Sequence, residues 1–132
     1  MNKTLFLSHR GESDDAPENT LAAFALAMER DSDGIELDIR MTSDKKIVCV
    51  HDATLERTAN VSGTPEEKTL AEIKKLNASY FRYQRRQAAP LDEQIEIPTF
   101  EEILAELNSK AAMNIQIYLK TLPALKEACL LY

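Results

Sequence analysis

The chain has 132 residues, enough for one hydrophobic core, and its 44% hydrophobic and 29% charged side chains are the balance of a folded chain rather than a disordered one. A net charge of −6, from 22 acidic and 16 basic residues, argues against a broad nucleic-acid surface but leaves room for one phosphate in a local basic pocket. No apolar run approaches the ~20 residues needed to span a bilayer, and Leu5 to Leu7 falls short of the roughly 7–15 apolar residues of a signal-peptide core, so a cytoplasmic location is expected. Cys49 and Cys129 make neither a disulfide framework nor a metal motif, and read as reduced, buried thiols.

Thr4 to Ser8 is an apolar run suited to a buried strand. It stops at His9-Arg10-Gly11, and the polar stretch Glu12 to Pro17 reads as a loop. Asn19 is suited to cap a helix. In that helix Leu21, Phe24, Ala25 and Met28 share a face, and it runs to about Arg30. Asp31-Ser32-Asp33-Gly34 breaks it. Gly34 to Arg40 then alternates strictly, as a strand with Ile35, Leu37 and Ile39 on one side and Glu36, Asp38 and Arg40 on the other. After a turn at Ser43 to Lys46, Ile47 to Val50 forms another strand, ending at His51-Asp52. A parallel return needs a crossover of a dozen or more residues, so these two strands are expected as a hairpin.

Residues 53–98 are less regular and read as an excursion from the sheet. Within it, Thr69 and Glu72 have capping-box spacing before a short helix from Leu70 to Leu76. Ser79 to Glu96, which holds Arg82, Arg85 and Arg86, has no clear period. Thr99 and Glu102 form a second capping box, opening a helix whose Ile103, Leu104 and Leu107 face inward. Asn114 to Leu119 alternates again as a strand, and Pro123 to Leu131 starts another helix. Strands and helices alternate, which is the order of an α/β barrel or an open parallel sheet.

The sequence holds two histidines, and each follows an apolar strand. The carboxyl ends of the strands form the catalytic face of an α/β barrel, and a histidine there can act as general acid or base near neutral pH. One such histidine alone would read as an ordinary surface residue; His9 and His51 in matching positions favour function. Glu36 and Asp38 lie two apart on a strand, so both carboxylates share a face. Inside a barrel they repel unless a cation lies between them, and oxygen ligands of this kind suit Mg²⁺ or Ca²⁺. On a half-exposed strand the same alternation would be a polar edge, and Arg40, next on that face, suits either reading through an ion pair. Arg10 offers a planar fork for phosphate oxygens, and Gly11 allows a tight turn.

Together these segments resemble the glycerophosphodiester phosphodiesterase family. The likeness rests on Ser8-His9-Arg10-Gly11, on Ala16-Pro17-Glu18-Asn19-Thr20-Leu21 with Ala23-Phe24, and on Asp33 to Arg40 with Thr42 and Asp44. It continues in the strand ending at His51-Asp52, then Leu55, Arg57-Thr58 and Gly63. A match of several ordered parts is more specific than any one motif. The resemblance implies the N-terminal part of an irregular TIM-type (β/α) barrel, of the kind seen in phosphoinositide phospholipases. Residues 1–132 would be one partial domain, with a family-type insertion at about 53–98. The resemblance also implies divalent-metal-dependent hydrolysis of glycerophosphodiesters to glycerol phosphate and an alcohol. By it, Glu36 and Asp38 are metal ligands, His9 and His51 the acid–base pair, and Arg10 a phosphate-binding residue.

Two departures accompany the likeness. The family's third metal-binding carboxylate falls on Gln116, a weaker ligand, and its lysine falls on Tyr118. An eight-stranded barrel also needs ~250 residues, so the chain reads as a fragment missing its C-terminal half, a truncated gene product, or a half that assembles with itself or another chain. These departures keep a second reading open, a non-catalytic relative acting as a phosphate-ester-binding or interaction module. The substrate head group and the choice between Mg²⁺ and Ca²⁺ stay open as well.

Overall fold

Strict alternation along Gly34–Met41 (β2) puts Ile35, Leu37 and Ile39 on one face, where all three are fully buried. They pack with Phe24 and Ala27 of the helix Leu21–Glu29 (α1) and with Phe100, Ile103 and Leu107 of the helix Phe100–Leu107 (α4). The computed structural model describes residues 3–80, 94–107 and 110–118.

β2 is the centre of the sheet. Leu7–His9 (β1) and Ala112–Ile117 (β4) run parallel to it, and Ile47–Cys49 (β3) returns antiparallel as the expected hairpin. The carbonyls of Glu36 and Asp38 point to one edge of β2, where they accept from the backbone N–H of Arg10 at 2.9 Å and of Val50 at 3.0 Å. β1 and β3 therefore follow one another along that edge, while β4 lies along the other, where Asp33 O accepts from Ala112 N at 3.1 Å. Close approach at that edge requires glycine: a Cβ on Gly34 would lie 2.0 Å from the Ala112 carbonyl oxygen. Parallel strands linked by helices make this an α/β fold.

The other face of the hairpin builds a second apolar cluster. Val48 and Val50 pack with Leu55, Ala59, Ile73, Ala78 and Ile97, so the excursion is anchored by its own core. It carries two short elements that no periodicity announces, the one-turn helix Glu56–Ala59 (α2) and the 3-10 turn Pro65–Glu67. Both expected capping boxes are formed. Thr69 and Glu72 cap the helix Leu70–Ile73 (α3). Thr99 N donates to Glu102 Oε2 at 2.8 Å, and Glu102 N donates to Thr99 Oγ1 at 3.1 Å.

Several expectations are corrected. The run Thr4 to Ser8 is not a buried strand: β1 begins at Leu7, and Leu5, Phe6 and Leu7 are 54%, 73% and 37% exposed. Among the described residues β1 pairs with β2 alone, so its other edge is uncovered. Asn19 does not cap α1. Thr20 does, accepting from Ala23 N at 3.2 Å, while Asn19 adopts a left-handed backbone (φ 56°) and turns its side chain to β2. α3 ends at Ile73 instead of Leu76, because its last turn tightens through Leu76 N to Ile73 O at 3.0 Å. β4 begins two residues earlier than the alternation suggested, at Ala112. The expected helix at Pro123 to Leu131, Cys129, and Arg82, Arg85 and Arg86 lie outside the described residues. Among the described residues no helix is long and apolar enough to cross a membrane.

Candidate active site

The carboxyl ends of β1, β2 and β4 and the residues just beyond β3 carry the polar groups. His9 is the last residue of β1 and stands opposite Glu36 in register, with Nε2 3.8 Å from Glu36 Oε2. Arg10 then leaves the strand in a left-handed conformation (φ 59°), followed by Gly11 (φ 80°). A Cβ on Gly11 would lie 2.7 Å from the backbone of Ala23, so glycine lets this turn rest on α1. The turn sends the Arg10 side chain inward to Asp38, with Nε 3.4 Å from Oδ2, while the Arg10 N–H donates to Glu36 Oε2 at 3.3 Å. Asp38 is opposite Gln116 in the β2–β4 register, and Gln116 is exposed.

Asp38 is buried, as expected for a carboxylate with fixed partners. Asn19 supplies two of them, donating through Nδ2 at 3.0 Å and accepting the Asp38 N–H at 3.3 Å. Its Oδ1 also accepts from the Cys49 thiol at 3.2 Å, and burial pushes that thiol well above its ordinary range. The expected reduced, buried state holds for Cys49.

His51 follows β3. Its Nδ1 is 2.6 Å from Asp52 Oδ1. Asp52 is bound in turn by Arg57, through Nε at 2.7 Å and NH2 at 2.9 Å, which holds the Asp52 carboxyl down at about 2. Arg57 reaches on to Glu18 through NH1 at 2.8 Å and NH2 at 2.6 Å, and Glu18 accepts from Arg10 NH1 at 3.2 Å. Charges therefore alternate without a gap from Asp52 to Asp38.

Arg40 shares the face of Glu36 and Asp38, and the ion pair suggested by its position is made with Glu66. Its Nε and NH2 donate to the His51 carbonyl at 3.1 and 2.8 Å, and NH1 approaches Glu66 at 3.5 Å. The guanidinium lies 3.7 Å above the ring centre of Tyr118. Arg10 reaches Asp38 instead because the left-handed turn after β1 folds it back over β2.

Glu36 is raised above the ordinary carboxyl range, first by burial and then by the charge of Asp38, against the opposing pull of His9. A cation at this face reverses both penalties. The oxygen donors Glu36, Asp38 and Gln116 are of the type that Mg²⁺ or Ca²⁺ takes. Among the described residues no group of three or more His, Cys, Asp and Glu is placed to hold a metal. A cation here would therefore rest on two carboxylates and neutral donors, which fits the donor chemistry with a reduced charge.

Of the residues singled out in the sequence, His9, Arg10, Glu36, Asp38 and Gln116 converge at adjacent strand ends. His51 joins them through Asp52, Arg57 and Glu18, which carried no assigned role, while Asn19, read only as a helix cap, holds Asp38. Three signals marked these residues. They lay inside the family-like segments, Asp52 adjoined a histidine, and Glu18 and Asn19 were polar residues leading into an apolar helix.

Comparison with known proteins bears on the family and the fold. The glycerophosphoryl diester phosphodiesterase family matches residues 9–131. A glycerophosphodiester phosphodiesterase of Caldanaerobacter subterraneus is 43% identical over 116 residues, covering 87% of this chain and 45% of the relative. The crystal structure of a glycerophosphodiester phosphodiesterase from Agrobacterium tumefaciens superposes with a TM-score of 0.78 at 31% identity, over 96% of this chain and 54% of that one. An Oleispira antarctica phosphodiesterase, solved with the product sn-glycerol-3-phosphate, gives 0.81 at 30% identity, over 95% and 51%. The chain thus spans about half the length of the relatives it matches, and its α/β fold corresponds to half of their TIM-type barrel.

Proposed function

Since the chain belongs to the glycerophosphoryl diester phosphodiesterase family, we propose that it forms the metal-dependent catalytic half of an enzyme hydrolysing glycerophosphodiesters to glycerol phosphate and an alcohol. The observation that carries this reading is the meeting of His9, Arg10, Glu36 and Asp38 at one set of strand ends. The substrate class is supported by the names of the relatives and by the product bound in the Oleispira phosphodiesterase.

In this reading one histidine takes the proton of the glycerol hydroxyl that attacks phosphorus. The other delivers a proton to the leaving alcohol oxygen, and water then opens the cyclic phosphate with the roles exchanged. Arg10 contributes positive charge near the phosphate, its guanidinium held in place by Glu18 and Asp38. Glu36 and Asp38, with Gln116 as a weak third donor, would hold Mg²⁺ or Ca²⁺, which would supply positive charge against the phosphoryl oxygens and ease ionisation of the attacking hydroxyl. A cytoplasmic location and the identity of residues 53–98 as the family insertion belong to the same proposal. So does completion of the barrel by a second copy or by further chain, which the uncovered edge of β1 with Leu5, Phe6 and Leu7 supports.

The test is hydrolysis of glycerophosphocholine by this chain with Mg²⁺ or Ca²⁺ and then with chelator. Metal-dependent turnover lost in His9→Ala supports the proposal. Metal-dependent turnover that survives both Glu36→Ala and His9→Ala overturns it. A second reading, a phosphate-ester-binding module without turnover, is favoured by Gln116 and by the lack of a third acidic ligand among the described residues. It predicts ligand binding by calorimetry with no product.

A further inference from the structure

Arg57 belongs to the family-like stretch but has no part in the chemistry proposed above, and its position is unusual. It stands in a one-turn helix, α2, outside the sheet, yet its guanidinium grips two carboxylates at once, with two contacts to Glu18 and two to Asp52. A planar fork with five donors can do this, whereas an ammonium group cannot reproduce it. Glu18 is buried, its side chain 4% exposed, and lies between Arg57 and Arg10. Asp52, on the other side of Arg57, carries His51.

Resting on the proposed function, we infer that Arg57 is a positioning residue that orients the Asp52 carboxylate beneath His51 and ties that pair, through Glu18, to Arg10. An ionised carboxylate only accepts hydrogen bonds, so the 2.6 Å contact places a proton on His51 Nδ1. Neutral His51 is thereby held as the Nδ1–H tautomer, with Nε2 as the nitrogen that exchanges the proton in catalysis. Without Arg57, the Asp52 carboxylate can rotate away and the ring loses its fixed tautomer. Glu18 would also keep one cation instead of two, which loosens Arg10. One residue outside the sheet thus sets both the ring of His51 and the guanidinium of Arg10.

The deciding experiment is ¹⁵N–¹H NMR of the ring nitrogens in the ¹⁵N-histidine-labelled full chain, where the two histidines give two spin systems and His9→Gln assigns them. The expected result is a dominant Nδ1–H tautomer for His51 in the parent chain and a mixture shifted toward Nε2–H in Arg57→Gln, with the His9 signals unmoved. Arg57→Lys, which keeps the charge but not the fork, should lie between. A dominant Nδ1–H tautomer in both variants overturns the inference; if Arg57→Gln does not fold, Arg57→Lys decides alone. In turnover of glycerophosphocholine, Arg57→Gln should lower kcat by about tenfold to a hundredfold with KM changed far less. A tautomer shift in a chain that shows no turnover would leave the inference standing and count against the proposed function.

Discussion

Asn19 and Asp38 are joined by two hydrogen bonds, side chain to side chain at 3.0 Å and side chain to backbone at 3.3 Å, across 19 residues of sequence. The loop before α1 thereby fixes the carboxylate at the centre of the site. Asn19→Ala removes both bonds, leaves the buried Asp38 carboxylate with Arg10 and its N–H unpaired, and places alanine at a left-handed position. The expected cost is roughly 2–4 kcal/mol, read as a lower urea midpoint with an unchanged m-value.

Glu36 should show the opposite behaviour. A carboxyl raised in the folded state contributes unfavourably above its folded pKa, and the penalty is relieved as pH falls through that value. Glu36→Gln should therefore raise the urea midpoint at pH 7 in metal-free buffer while abolishing turnover. A lower midpoint would mean that the carboxylate is a stabilising member of the cluster.

Asp52 titrates in the reverse sense. Its carboxyl is lowered from 3.8 to about 2 by Arg57 first, then by His51. The stability it contributes is present above pH 4 and lost as pH falls toward 2, about 1 kcal/mol once solvent screening is allowed for. Comparing unfolding of the parent chain and Asp52→Asn at pH 5 and pH 2.5 checks this. The two should converge at the lower pH.

Gln116 faces Asp38 across the β2–β4 register. Gln116→Glu adds a charge to an oxygen-donor set, and divalent affinity should rise by about an order of magnitude, the scale on which ligand charge tunes such sites. Calorimetric titration with Mg²⁺ and Ca²⁺ measures it; equal affinities would remove this position from the metal site.

Gly34→Ala tests the sheet itself. The added methyl would sit 2.0 Å from the Ala112 carbonyl oxygen, a backbone atom that cannot step aside without moving β4. A loss of roughly 3 kcal/mol or more is expected from such overpacking, with circular dichroism and urea unfolding as the readout.

Much of the frame was legible in the sequence. The period-two alternation of Gly34 to Arg40 and the short turn before Ile47 identified β2 and its antiparallel partner, and the Thr-Glu spacings located two helix starts. Glu36 and Asp38 were readable as a pair because parity alone puts them on one face. The hidden features depend on contacts distant in sequence. Asn19 looked like a helix cap because a local preference says nothing of Asp38. Arg40 looked like a partner for the carboxylates because no pattern reveals that His51 would offer it a carbonyl. Leu5 to Leu7 looked buried because hydrophobicity records what a strand can cover, not which of its edges is paired.

The stack of Arg40 on Tyr118 couples two strands of the sheet to the segment that carries His51. Arg40 grows from β2, Tyr118 follows β4, and the guanidinium lying on the Tyr118 ring holds the carbonyl of His51. A lysine at 118 would take away the ring and set a second cation beside the guanidinium, so Tyr118→Lys should loosen Arg40 and with it the carbonyl of His51. Positions 40 and 118 are therefore a linked pair: a change at either one alone removes support from the segment that carries His51.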